Sequence, residues 1–216
     1  MTTQATSSLP VKSRRAKTAE VEVLDRDERF VIYGVSWPAY VAIRNALDDH
    51  AGLHLTYLEG TLELMSPSNA HEEYKTIIAR LVEAYAEEMD LDLNGFGSMT
   101  VRKRAKKRGL EPDECYSLGQ PGKVPDIAIE VVLTSGVVNK MTVYEGLGVP
   151  EVWVWEAGAF KILRLTERGY EPRRRSEVLP DLDFQFLASF VETGGSQTPR
   201  IKAFRRAIRA RRSGRT

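Results

Sequence analysis

Three acids stand where a strand begins or runs: Asp113 after Pro112, Asp126 after Pro125, and Glu130 within "VPDIAIEVVLTSG", among seven apolar residues. Proline restricts its own backbone and its predecessor's, so each Pro-Asp pair marks an extended approach to a strand, and the pair recurs after thirteen residues. Side chains alternate along a strand. Asp126, Ala128 and Glu130 therefore share one face, while Ile127, Ile129 and Val131 occupy the other. An unpaired carboxylate in apolar surroundings costs several kcal/mol, so these acids must meet water, a basic side chain or a cation. Two carboxylates side by side repel unless a positive charge lies between them. Magnesium meets that need, with oxygen ligands supplied by one or two carboxylates, waters and phosphate oxygens. Such an ion polarises a phosphoryl oxygen and generates a hydroxide nucleophile. Lys140, one helical turn past the acidic strand and four residues before Tyr144, could steady the charge developing on phosphate. Simple pairing of the same acids with surface Lys or Arg is the competing explanation.

Those residues need a scaffold, and the hydrophobic periodicity supplies its outline. "VSWPAYVAIRNAL" predicts a helix with Ser36 as cap, Pro38 in the first turn and Tyr40, Val41, Ile43 and Leu47 as its stripe. "LHLTYLEGTLELMSP" alternates about Glu59 and Gly60 as a hairpin would. "SNAHEEYKTIIARLVEAYAEEMDL" gives the strongest helical signal, with Asn69 and Glu72 as a capping box and Glu73 at the edge of the buried stripe. Strands follow in "SMTVRKR", "DECYSLG", the acidic segment, "EVWVWEA" and "AFKILRL". "VVNKMTVYEGLGV" predicts a short helix ended by Gly148, and "DLDFQFLASFVE" another. "RIKAFRRAIRARR" is a basic amphipathic helix with Ile201, Phe204 and Ile208 on one side. Helices flanking a mixed set of strands predict an α/β or α+β sandwich. One domain over residues 21–192 is expected, with a disordered basic arm at 1–20 and a basic tail at 193–216.

Composition limits the function classes. The chain has 216 residues, 42% hydrophobic and 28% charged, an ordinary globular balance. A single cysteine, Cys115, excludes an internal disulfide and suits a reducing cytoplasm. No run approaches the roughly 20 apolar residues of a membrane span, so no membrane partner is expected. The net charge of +1 hides an uneven distribution. Arg102, Lys103, Arg104, Lys106, Lys107 and Arg108 form one basic cluster, and seven Lys or Arg follow position 201. Clusters of this kind mark contact with polyanions such as DNA, although solvated surface charge gives the same pattern. Trp153 and Trp155 share a strand face and read as core or dimer contact more than as a platform for bases.

The blocks "YLEGTLELMSPSNAHE", "EPDECYSLG", "PDIAIEVVLTSG" and "NKMTVYEGLGVPEVWVWE" together resemble the Uma2 family, a branch of the PD-(D/E)XK nuclease superfamily, in their order and over residues 30–190. That resemblance implies a central mixed sheet flanked by helices and a DNA endonuclease dependent on Mg2+, with Mn2+ able to substitute. It places Asp113 and Glu130 as metal ligands and Lys140 as the catalytic amine. The superfamily's lysine two residues after the acid is Val132 here, and the amine comes from the following helix instead. Asp126, Glu73, Glu59 and His71 lie in blocks typical of the family. Asn139 stands where the family pattern has Asp before the lysine, which leaves open a DNA-binding protein without turnover. Nucleases of this kind pair two subunits to cut both strands, so a homodimer is expected.

Overall fold

The structure, a computed structural model, describes residues 26–47, 50 and 52–214; the arm expected at 1–20 lies outside them. The chain begins with β1 (Glu28–Ile32), α1 (Trp37–Ala46), the hairpin β2 (His54–Leu58) and β3 (Thr61–Ser66), and α2 (Asn69–Glu88). Short strands β4 (Leu93–Gly95), β5 (Val101–Lys103) and β6 (Arg108–Leu110) lead to β7 (Glu114–Leu118) and β8 (Ile127–Val132). α3 (Lys140–Leu147) connects β8 to β9 (Glu151–Glu156), and β10 (Ala159–Thr166) and β11 (Gly169–Arg173) precede α4 (Phe184–Ala188) and α5 (Gln197–Ser213). Among the described residues the strands form two sheets. An antiparallel sheet has the order β1-β3-β2-β6-β5, and a mixed sheet has the order β11-β10-β9-β8-β7-β4. Only β8 and β9 run parallel, and α3 is the crossover that a parallel pair requires. The α/β class expected from the sequence is the one observed, with a second, antiparallel sheet beside the mixed one.

β8 is central and covered on both faces, which explains its almost unbroken apolar run. Ile127, Ile129 and Val131 pack with Trp153 and Trp155 of β9 against Ile77, Ile78, Leu81 and Val82 of α2. Ala128 and Val152 pack on the other face against Val143, Tyr144 and Leu147 of α3, together with Val101 and Leu110 of the antiparallel sheet. Trp153 is fully buried and meets Phe184 edge to face at 4.8 Å. α1 closes the outer face of the antiparallel sheet, where Tyr40 stacks on Tyr57 at 4.6 Å. Ser36 caps α1 as expected, its hydroxyl accepting from the Ala39 N–H at 3.3 Å.

The cap of α2 differs from the sequence reading. Ser68, not Asn69, is the N-cap and accepts from the His71 N–H at 3.2 Å. The residue three positions on is then His71, so no reciprocal box forms, and Glu72 pairs with Lys75 at 2.7 Å instead. His71, in the first turn of α2, is fully buried. Of the helix expected around Phe184 only five residues are helical, started by the Asp183 carboxylate on the Gln185 and Phe186 N–H groups, both at 3.0 Å.

The basic C-terminal segment is packed into the core. Ile201, Phe204 and Ile208 of α5 join the cluster beneath α2, and the flanking arginines find acids. Arg209 binds Glu88 at 2.7 Å, Arg205 binds the same carboxylate at 3.2 Å, and Arg211 lies 3.6 Å over Phe186 while pairing with Asp183 at 3.0 Å. Hydrogen bonds from Arg209 and Arg205 hold the Glu88 carboxyl, against the effect of burial, down at about 2 from its ordinary 4.5. Because the folded value lies below the unfolded one, this contribution is complete above the ordinary value and is lost as the pH falls toward 2. Glu88→Gln is expected to lower the melting temperature by a few degrees at neutral pH and to converge with the parent in acid. Melting curves that remain parallel down to about pH 2 would remove the ion pairs as a clamp on α5.

Candidate active site

β7 and β8 pair with Glu114 opposite Ile129, so Asp113, one residue before β7, comes opposite Glu130. Both are buried, at 0% and 1% exposure. Asp113 Oδ2 accepts the Val131 N–H at 2.7 Å, while its Oδ1 is buried with no hydrogen-bond partner. Glu130 Oε2 accepts from Lys140 Nζ at 2.5 Å, and Oε1 accepts from the Tyr144 hydroxyl. Lys140 and Tyr144 lie four residues apart on α3 and so share a face. Asn139 caps that helix by accepting from the Thr142 N–H at 3.2 Å. Asn and Asp cap equally well, so the departure from the family pattern at this position leaves α3, and hence Lys140, in place.

A second layer holds Asp113 from behind. His71 Nε2 lies 3.1 Å from Asp113 Oδ2, within ion-pair reach though off hydrogen-bond alignment. His71 Nδ1 is 3.3 Å from Asp27 Oδ2. Asp27 also accepts from the Ser68 N–H at 2.9 Å and the Thr134 hydroxyl at 3.1 Å. His54 Nδ1 approaches Asp113 Oδ1 at 3.9 Å. Glu63, 2% exposed, accepts from Arg29 at 2.8 Å and from the N–H groups of Val137 and Val138 at 2.6 and 3.1 Å. The loop passes so close that a Cβ on Gly136 would collide with Glu63 Oε1, which is why glycine stands there. Arg29, Glu63, Glu130, Thr134 and Lys140 line a cavity of about 230 Å³.

The two opposed acids are driven apart electrostatically. Burial raises the Asp113 carboxyl, but the Lys140 ammonium and the His71 imidazole outweigh it and hold Asp113 below the usual carboxylate range. Burial and the Asp113 charge push Glu130 up against the pull of Lys140. Burial would lower Lys140, but Glu130 and Asp113 keep it above its ordinary value. His71 is raised in spite of burial because Asp113 and Asp27 flank it, whereas burial lowers His54. Separation of this kind between neighbouring titratable groups is a common mark of acid–base sites.

The other residues named from the sequence go elsewhere. Asp126 accepts the Leu118 N–H at 2.9 Å and lies four residues before Glu130, about 13 Å along the strand. Glu73 accepts the Gly194 N–H at 2.6 Å and so ties down the connection before α5. Arg102, Lys103, Arg104, Lys106 and Lys107 are exposed at the β5–β6 tip. Arg108 is not available with them. It donates to the Thr142 carbonyl at 2.6 Å and pairs with Glu59 at 3.3 Å, in space that a Cβ on Gly146 would invade. Tyr144 joins the arrangement, and Asp27, Arg29, His54 and Glu63 complete it without a sequence signal pointing to them. For Tyr144 the spacing from Lys140 is the available clue. Among the described residues no three His, Cys, Asp or Glu side chains are arranged to hold a metal ion, and no helix is long and apolar enough to cross a membrane.

A crystal structure of a putative nuclease belonging to DUF820 from Anabaena variabilis is similar, with a TM-score of 0.42 and 13% sequence identity over 69% of this chain and 90% of that one. A comparison with curated proteins gave no match. The Uma2 family, described as "Putative restriction endonuclease", matches residues 37–190. That span contains Asp113, Glu130, Lys140 and Tyr144 and leaves out Asp27 and Arg29. With most of its length and the whole acid–amine constellation inside the match, the chain belongs to the Uma2 family.

Proposed function

We propose that this chain is a divalent-metal-dependent DNA endonuclease that hydrolyses a phosphodiester with water. The observation that carries the reading is the pair of opposed, buried carboxylates, Asp113 and Glu130, with an ammonium against one and an unpartnered oxygen, Asp113 Oδ1, on the other. A buried acceptor with no donor costs about 1–3 kcal/mol, which a cation would offset. The donor set fits Mg2+ or Mn2+, which need only one or two carboxylates when waters and phosphate oxygens complete the shell; Asp113 and Glu130 would hold the ion. When bound, such an ion supplies Lewis acidity toward the phosphoryl group and a more acidic water.

The chain's own groups do the rest. Tyr144 and Lys140 fix the Glu130 carboxylate, and the Lys140 ammonium is placed to donate to a phosphoryl oxygen or to the attacking water. Lys140 and His71, the latter held by Asp27, keep Asp113 ionised, and the Val131 N–H fixes its position. Arg29 adds a second cation to the cavity wall. The five exposed basic residues of the β5–β6 tip contact the DNA backbone, while Arg108 fastens that hairpin to α3, the helix that carries Lys140. A second reading, a DNA-binding protein without turnover, draws on both Glu130 oxygens being engaged by protein donors.

Nicking of supercoiled plasmid separates the two. Cleavage is expected with Mg2+ or Mn2+, to vanish on chelation, and to fall in Glu130→Gln by at least ~100-fold, since even outer partners of a metal ligand are worth 10–100-fold; circular dichroism checks the fold. Metal-dependent nicking that survives Glu130→Gln would exclude this site. For the hairpin, replacing Lys103, Arg104 and Lys106 with Glu is expected to weaken DNA binding and to reduce its salt slope by about one for each phosphate no longer neutralised. An unchanged slope would show that the tip does not touch DNA.

A further inference from the structure

A second cavity, of about 710 Å³, lies on the opposite face of the mixed sheet. In register, Phe160 opposes Trp155, Ile162 opposes Trp153, and Arg173 opposes Ile162, so the cavity's floor belongs to the face that packs on α2. Glu130 opposes Val154, which opposes Lys161, on the other face. The volume falls within the range of small-molecule sites. It is lined by Arg173, Arg174 and Arg175, by the segment from Pro180 to Gln185, and by Phe160 and Ile162.

The backbone immediately after the three arginines is pinned by a buried carboxylate. Glu151, 0% exposed, accepts from the N–H groups of Glu177 at 2.5 Å and Val178 at 3.2 Å and from the Ser176 hydroxyl at 2.7 Å. Ser176 in turn accepts from the Leu179 N–H at 2.8 Å. Arg173 pairs with Glu171 at 3.0 Å. Arg174 and Arg175 are exposed and have no partner among the described residues. Of the two acids in the lining, Asp183 is committed to the α4 cap and to Arg211, which leaves Asp181 as the free carboxylate. Phe160 is half-buried, tilted against Trp155 at 4.9 Å and edge-on to Phe184 at 5.5 Å.

Two free guanidiniums call for a phosphate, and a fixed aromatic surface calls for a flat apolar group. A lone carboxylate would repel bare phosphate but accepts hydrogen bonds from an amino or hydroxyl group. One ligand class meets all three. We propose that this cavity binds a nucleotide unit, with its phosphate on Arg174 and Arg175, its base against Phe160, and its donors toward Asp181. The unit is either a free nucleotide or one residue of a nucleic-acid strand, since single-strand sites combine basic side chains with aromatic platforms in the same way. The assignment goes beyond the endonuclease reading and does not depend on it.

The test uses the full chain in chelator, with dAMP, deoxyadenosine, inorganic phosphate and a single-stranded dA octamer as probes, followed by calorimetry and by the fluorescence of Trp155 beside Phe160. Saturable dAMP binding is expected, weakened at least ~10-fold in R174E/R175E and unchanged in Glu130→Gln, with deoxyadenosine and phosphate far weaker; the R174Q/R175Q pair serves if charge reversal impairs folding. An octamer that competes with dAMP, or that alone binds and depends on the two arginines, assigns the cavity to a strand; dAMP binding without competition assigns it to a free nucleotide. If neither probe binds, if the arginine variants bind as the parent does, or if Glu130→Gln abolishes dAMP binding, the proposal fails.

Discussion

Two carboxylates facing each other in the middle of a sheet are the constraint around which the molecule is arranged. Asp113 and Glu130 meet because β7 and β8 pair in one register, and neither has access to solvent. Left alone, the pair would protonate or force the strands apart. Lys140 and His71 approach from two different helices and make the charge tolerable from opposite sides. A register slip of one residue would turn Glu130 toward α2 and leave Lys140 without its partner.

α3 is the element through which the surrounding features communicate. Its cap, Asn139, follows the Gly136 loop that Glu63 anchors, and its first turn carries Lys140. Its third residue, Thr142, receives Arg108, so the basic hairpin is fixed to the same eight-residue helix as the site. The lower face of the helix is apolar and joins the two sheets through Val143, Tyr144 and Leu147. Tyr144 belongs to both arrangements, with its ring in the core and its hydroxyl on Glu130.

What can be read from the sequence depends on how local the cause is. Alternation exposes Glu130 as an anomaly in an apolar strand, and helical spacing places Lys140 on the next element; both are effects within a few residues. The class of the fold follows from the same periodicities. The sequence puts the cap of α2 one position late because Asn69 and Ser68 both make good caps and only the chain's entry from β3 distinguishes them. Residue type draws Glu73 and Arg108 toward function, but the structure binds the first to Gly194 and the second to Thr142 and Glu59. Asp27, Arg29 and Glu63 carry no local signal, since each acts on residues far along the chain. The C-terminal helix shows its apolar stripe, but Glu88, which receives Arg205 and Arg209, lies on α2, more than a hundred positions earlier.

The same long reach has a bearing on biogenesis. Asp27 Oδ2 meets the Thr134 hydroxyl across 107 positions, and Arg29 reaches the Thr134 carbonyl across 105. A nascent chain therefore displays the N-terminal strand long before it has produced the loop and helix that strand must receive. Products that end before α3 would lack the amine, so the fold itself delays assembly of the charged centre until the chain has grown past Lys140.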